Sequence, residues 1–243
     1  MKEKLYTIPV NDAFSVNCEC PICAMKKKLE EDAVDYTMGP SYMEDDTRMK
    51  TDQMGFCEKH MRMLWEKNNR LGLALISSTH MKKLIQETET RAAQGVEKGG
   101  FFKKVKEDPV VEYLKQLEAS CFVCERIRLS FERYIMTICY LWKSDGEFRK
   151  KYEGSKGFCN EHYRVLLEHA PLHLSGKQLE EFREATSRIY LENMKRVLED
   201  VEWFINKFDY RYQDEPWKNS EDAMQRTLTK LNGIFVEEDG KLH

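Results

Sequence analysis

The chain has little glycine and less proline, 12 and 6 residues among 243. Turn-rich β architectures depend on both residues, so their scarcity excludes a sandwich or barrel and leaves a helical fold. No uninterrupted apolar run approaches the ~18 residues of a membrane span, and no membrane association is expected. The first seven residues, Met1 to Thr7, contain no apolar signal-peptide core, so the expected location is cytoplasmic. A charge excess is missing too. With 39 basic and 42 acidic side chains the net charge is −3, which argues against a dedicated nucleic-acid binder while leaving room for one local basic patch. No phosphate-cradling glycine loop, nucleophile elbow or metalloprotease helix occurs.

What the chain does have is eight cysteines, and in a reducing compartment these read first as metal ligands or redox groups. Six of them fall into a pattern that occurs twice. Cys20-Pro21-Ile22-Cys23 is followed by Gly55-Phe56-Cys57-Glu58-Lys59-His60, and Cys121-Phe122-Val123-Cys124 by Gly157-Phe158-Cys159-Asn160-Glu161-His162. The gap within a copy is 33 residues in the first and 34 in the second. The offset between copies is 101 residues at the C-x2-C pairs and 102 at the C-x2-H pairs, as an internal duplication with one inserted residue would leave.

Zinc prefers four tetrahedral ligands, with Zn–S near ~2.3 Å and Zn–N near ~2.0 Å. A two-residue gap lets both cysteines of a pair turn onto one ion. In C-x2-H the donors sit at i and i+3, one face of a helix. Gly55 and Gly157 suit a tight turn into that helix, with Phe56 and Phe158 packed beside it. The expected metal ligands are therefore Cys20, Cys23, Cys57 and His60 for the first copy, and Cys121, Cys124, Cys159 and His162 for the second, holding two zinc ions per chain. Iron–sulfur is the alternative, although clusters usually take four cysteines. Neither C-x2-C is followed by His, which argues against haem attachment. A closed Cys3His shell leaves no open position, so both sites read as structural rather than catalytic.

The expected fold class is all-α: tandem-duplicated helical hairpins, each clasped by its own Cys3His site, with long packing helices. The first repeat is placed at 1–96, a linker at 97–107, the second repeat at 108–212 and a C-terminal extension with a short helix at 213–243. Apolar residues at Ile127, Phe131, Tyr134, Ile135, Ile138 and Leu141 predict a helix after Cys124. A weaker face after Cys23 ends at Gly39-Pro40. Each G-F-C pair opens a second helix, and the later one is expected to stop before Pro171. Ser175-Gly176-Lys177-Gln178 matches a capping box starting a long helix through Phe208, with a counterpart along Leu71, Leu75, Met81, Leu84 and Ile85. A last helix is expected from a Ser220 cap to Gly233.

Outside the quartets, Cys18 is a candidate auxiliary thiol, and Cys139 reads as a small buried hydrophobe. His80, His169 and His173 have no recognisable catalytic partner. Asp209, Tyr210 and Arg211 form either a ligand site or a packing corner, with Arg211 paired to a carboxylate and Trp217 covering it. Lys98, Lys103, Lys104 and Lys106, with Phe101 and Phe102 between them, read as a solvated linker in preference to a base-stacking patch.

The duplicated C-x2-C…G-F-C-x2-H, together with Phe208-Asp209-Tyr210-Arg211…Trp217…Asp222-Ala223…Arg226, resembles a family of bacterial proteins of unknown function. The resemblance spans Tyr6 to about Gly233 and implies no activity, substrate or partner. Some members carry transporter-type names, which the absence of a secretion signal and of an ATP-binding motif does not support. The expected function is a non-enzymatic zinc scaffold for an unknown protein partner. The alternatives are a redox- or metal-responsive sensor and, more weakly, an enzyme using the Asp209 region.

Overall fold

Helix starts are where the motifs put them. In the computed structural model, which describes residues 4–95 and 107–236, eleven α-helices and two 3-10 turns account for the regular structure, with no strand among the described residues. The Lys98–Lys106 cluster lies outside the described residues. Helix α2 (Pro21–Met38) begins between the first cysteine pair, with Pro21 at the position where a missing N–H costs nothing. Helix α7 (Phe122–Ser144) begins between the second pair. Helices α4 (Glu58–Glu66) and α9 (Asn160–His173) each begin immediately after the cysteine of a C-x2-H pair.

The chain forms two compact units. One comprises residues 1–28 and 130–243, and the other residues 29–129. The division falls inside α2 and α7, so each unit is built from both motif copies.

The larger unit contains α1 (Lys4–Ala13), the start of α2, most of α7, α8 (Gly146–Glu153), α9, α10 (Gly176–Asn206) and α11 (Ala223–Asn232). Its core gathers Phe14, Ile135, Ile138, Trp142, Phe148, Tyr152, Phe158, Phe182 and Ile189, all at or close to full burial. Aromatic rings dominate it. Trp142 stands edge-on to Phe182 at 5.2 Å, and Tyr152 contacts Phe14, Phe158 and Phe182 while sharing a hydroxyl hydrogen bond of 2.7 Å with Thr186. The smaller unit contains the rest of α2, α3 (Asp45–Met54), α4, α5 (Arg70–Gln94), α6 (Pro109–Glu118) and the start of α7. Its core is leaner: Ala33, Val34, Met38, Leu64, Leu73, Ile76, Phe122 and Val123.

Four local expectations differ from the structure. Helix α9 continues through Pro171 to His173. The proline removes one donor only three residues before the end, and Leu174 N–H still bonds to Ala170 O at 2.8 Å, so the last turn holds. Ser175 occupies the N-cap of α10, but its side chain makes no capping bond. The final helix has Asp222 rather than Ser220 at its N-cap position, with no side-chain capping bond, and the Ser220 hydroxyl donates to Trp217 O at 2.7 Å. In α5 the buried residues are Gly72, Leu73 and Ile76, while Leu71, Met81 and Ile85 are exposed.

Candidate metal centres

Each C-x2-H pair is built the same way. Gly55 and Gly157 take positive φ (59° and 83°), turning the chain sharply into α4 and α9. That turn places Cys57 and Cys159 at the N-cap and His60 and His162 at the third helical position. At Cys159 the sulfur also accepts the His162 backbone N–H at 3.4 Å. A thiolate at a helix N-terminus gains from the positive end of the helix dipole.

The eight expected ligands come together in two groups, and the grouping corrects the expected one. Cys20 and Cys23 of the first copy meet Cys159 and His162 of the second. Cys121 and Cys124 of the second copy meet Cys57 and His60 of the first. Helix lengths are unequal in both copies. Helix α2 carries the chain ~27 Å away from its cysteine pair, and the ten residues of α3 recover at most ~15 Å. After Cys124 the imbalance grows, with 23 residues in α7 against 8 in α8. In both copies the returning helix is the shorter one, and each C-x2-H pair closes on the C-x2-C pair of the other copy.

The geometry within each group fits a tetrahedral ion. In the larger unit, His162 Nδ1 lies 3.4 Å from Cys20 Sγ, 3.3 Å from Cys23 Sγ and 3.2 Å from Cys159 Sγ, with Cys23 and Cys159 sulfurs 3.6 Å apart. In the smaller unit, His60 Nδ1 lies 3.3 Å from each of Cys57, Cys121 and Cys124, and the Cys57 and Cys124 sulfurs are 3.9 Å apart. Regular tetrahedra with zinc bond lengths have edges of about 3.7 Å between sulfurs and about 3.5 Å between sulfur and nitrogen. One ring nitrogen cannot hydrogen-bond three sulfurs at once. A cation at the centre of each group satisfies all four donors together.

Protonation points the same way. Burial, then contact with Cys159, pushes the Cys20 thiol up. Contacts with Cys159 and Cys20, then burial, push up Cys23. In the smaller unit, burial and the neighbouring Cys121 raise Cys124 to about 12. Burial would also raise Cys121, but hydrogen bonding from His60 and nearby backbone outweighs it and brings that thiol down to about 6. Three sulfurs this close cannot all ionise without a cation among them, so metal entry must displace protons.

The surroundings of the two centres differ. His60 Nε2 lies 2.9 Å from Glu30 Oε1, and Lys59 Nζ bridges to the same carboxylate at 2.6 Å. Burial acts against the Glu30 charge, yet His60 and Lys59 hold its carboxyl down at about 2. This is the arrangement in which a carboxylate fixes the ring and tautomer of a metal-bound histidine. Nothing in the sequence marks Glu30, which is joined to His60 only by the fold. His162 Nε2, by contrast, is buried with no hydrogen-bond partner, and its ring packs 5.6 Å from Phe131. All four ligands of that centre are buried, whereas Cys124 is exposed and Cys57 half-buried. The end of α11 covers the buried centre, since a side-chain carbon on Gly233 would stand 3.5 Å from Cys159 Sγ and 3.8 Å from Cys23 Sγ.

The remaining candidates fall outside both groups. Cys18 lines a cavity of about 650 Å³ in the larger unit with Glu19, Lys156 and Arg226, and burial raises its thiol to about 11. Next to it, Glu19 pairs with Arg196 at 2.5 Å and with the fully buried Lys230 at 3.2 Å, a cluster the sequence did not flag. Cys139 is fully buried and its thiol is pushed up to about 12 by burial. His80 Nδ1 donates to Asp52 O at 2.8 Å. Arg211 pairs with Asp209 at 2.7 Å on an exposed turn, and Tyr210 is 84% exposed. The corner itself is held by Lys207, whose ammonium donates to the Tyr212, Gln213 and Glu215 carbonyls, and Trp217 covers Lys207 rather than Arg211. In the tail, Arg226 is buried between Asp200 at 2.6 Å and Asp222 at 2.7 Å. No helix among the described residues is long and apolar enough to cross a membrane.

Fold and site together define an all-α protein with two Cys3His clusters fit for metal. A family of unknown function, DUF6062, matches residues 1–238, and the chain belongs to it. Comparison with curated proteins and with solved structures gave no match.

Proposed function

We propose that this protein is a non-enzymatic, zinc-binding helical scaffold that presents a surface to a protein partner in the cytoplasm. The observation that carries the reading is the convergence of one imidazole nitrogen on three sulfurs, at 3.2–3.4 Å, in both clusters. Cys20, Cys23, Cys159 and His162 hold one ion, and Cys57, His60, Cys121 and Cys124 hold the other. Four protein donors complete a tetrahedral shell and leave no position for substrate, so the ions supply folding free energy instead of chemistry. The two motif copies read as an internal duplication whose ligand pairs have been exchanged.

Metal analysis of protein purified without added metal tests this. About two zinc per chain are expected, with no visible colour. Broad absorption near about 400 nm with stoichiometric iron would replace zinc by an iron–sulfur cluster. A folded, metal-free chain with unchanged thermal stability would overturn the scaffold reading.

The exposure of Cys124 favours a second reading, a redox- or metal-responsive sensor. An accessible, metal-bound thiolate is the group that peroxide attacks first. Titration with peroxide should then release one ion from the smaller unit well before the other. Release of both ions only on unfolding would remove this reading.

A further inference from the structure

Helix α10 is apolar on two opposite sides. Phe182, Ala185, Thr186, Ile189 and Val197 are its buried residues, and Phe182, Ala185 and Ile189 pack into the core of the larger unit. On the other side, Leu191, Met194, Leu198, Val201 and Ile205 follow one another at spacings of three and four, and Phe208 continues the stripe just past the helix end. That is an unbroken heptad seam over about 25 Å of helix. Four of its six residues are exposed, Leu191 at 53%, Leu198 at 55%, Ile205 at 62% and Phe208 at 76%, with Met194 and Val201 half-buried between them. A surface helix normally carries one apolar stripe, and a second, continuous one marks an interface.

We propose that this seam pairs antiparallel with the same seam of a second copy of this chain. Two observations favour a second copy in that orientation. With the two-fold axis between Leu198 and Val201, the seam is complementary to itself: Leu191 meets Phe208, Met194 meets Ile205 and Leu198 meets Val201, so a large residue faces each aliphatic one. The flanking charges agree. Lys195 and Glu202 occupy the same flanking position of successive heptads, are both exposed, and have no ion-pair partner within the described chain. In antiparallel pairs these positions face each other, so Lys195 of each copy meets Glu202 of the other. In parallel pairs they would face Tyr190 and Val197 instead, and the charges would go unanswered. None of the seam residues belongs to either Cys/His cluster, and the inference does not depend on their occupancy.

Sedimentation equilibrium on the full-length, metal-replete chain, between about 1 and about 100 μM, tests the proposal. The expected result is a reversible dimer of twice 28.8 kDa. Leu198→Glu should weaken dimerisation about a hundredfold or more, by placing a charge in the seam, while leaving helicity and metal content unchanged. Lys195→Glu and Glu202→Lys should each weaken it about tenfold, because each sets like charges opposite one another twice. Mixing those two variants should restore wild-type affinity as a heterodimer. A wild-type chain that stays monomeric at the highest concentration overturns the proposal, as does a dimer indifferent to Leu198→Glu. Loss of the dimer in Leu198→Glu without rescue on mixing would overturn the antiparallel register.

Discussion

The two metal centres share one ligand set and one local design, yet they sit in different surroundings. In the larger unit all four ligands are buried, α11 ends over the sulfurs, and His162 has no partner on its far nitrogen. In the smaller unit Cys124 is exposed, and His60 is braced by Glu30 and, through it, by Lys59. The first centre is held by packing, the second by hydrogen bonding. Ligand identity decides that a metal binds, and the environment decides how readily it leaves.

The largest test of this contrast is to remove one sulfur from each centre. Cys159→Ser should lose one ion and lower Tm by about 10 °C or more, because it opens a fully buried cluster within the main core. Cys124→Ser should lose the other ion with about half that shift. Cys139→Ser, a buried thiol outside both clusters, should keep both ions and shift Tm by only a few degrees, about 2–6 °C. Calorimetry with metal analysis reads all three. Equal small shifts would dissolve the contrast and the ligand assignment with it.

Kinetics should sharpen it. With excess chelator, zinc release is expected in two phases, the faster at least about tenfold quicker and abolished by Cys124→Ser, since transiently opened, low-stability regions exchange first. A single phase for both ions would show that exposure does not govern release. Glu30→Gln should weaken binding in the smaller unit by about 10- to 100-fold and leave the other centre untouched, as measured by competition with a calibrated zinc chelator. The smallest effect belongs to Cys18→Ser: two ions per chain, with peroxide sensitivity unchanged. A shift in either would bring Cys18 back as an auxiliary ligand.

Much of this was legible in the sequence, and the limits have physical causes. All eight residues of the two Cys3His clusters and the helix starts beside them follow from spacing, because C-x2-C, Pro21 and G-F-C act within one turn of backbone. Proline at 171 and serine at 175 and 220 were read by the same local rules and misplaced details. Pro171 falls where the helix has only two residues left, Ser175 takes the N-cap position without a side-chain bond, and Ser220 bonds to Trp217 O instead. The apolar face of α5 was misassigned because its buried stretch is only Gly72 to Ile76. The exchange of ligand pairs lay beyond local rules altogether. It depends on where whole helices end in space, which no short-range spacing encodes. Glu30 beside His60 is invisible for the same reason.

The exchange has a consequence for the order of synthesis. Ligands of the smaller unit are 61 to 67 residues apart across their two pairs, and those of the larger unit 136 to 142. A chain leaving the ribosome therefore carries two lone pairs in turn, Cys20/Cys23 and Cys57/His60, and the first quartet becomes complete only with Cys124. Cys20 and Cys23, made almost first, wait for His162 before their ion can be enclosed. Assembly of the larger unit's cluster is thus a late event that joins residues 20 and 23 to the distant second half of the chain, and any fragment ending before residue 159 leaves that early pair open.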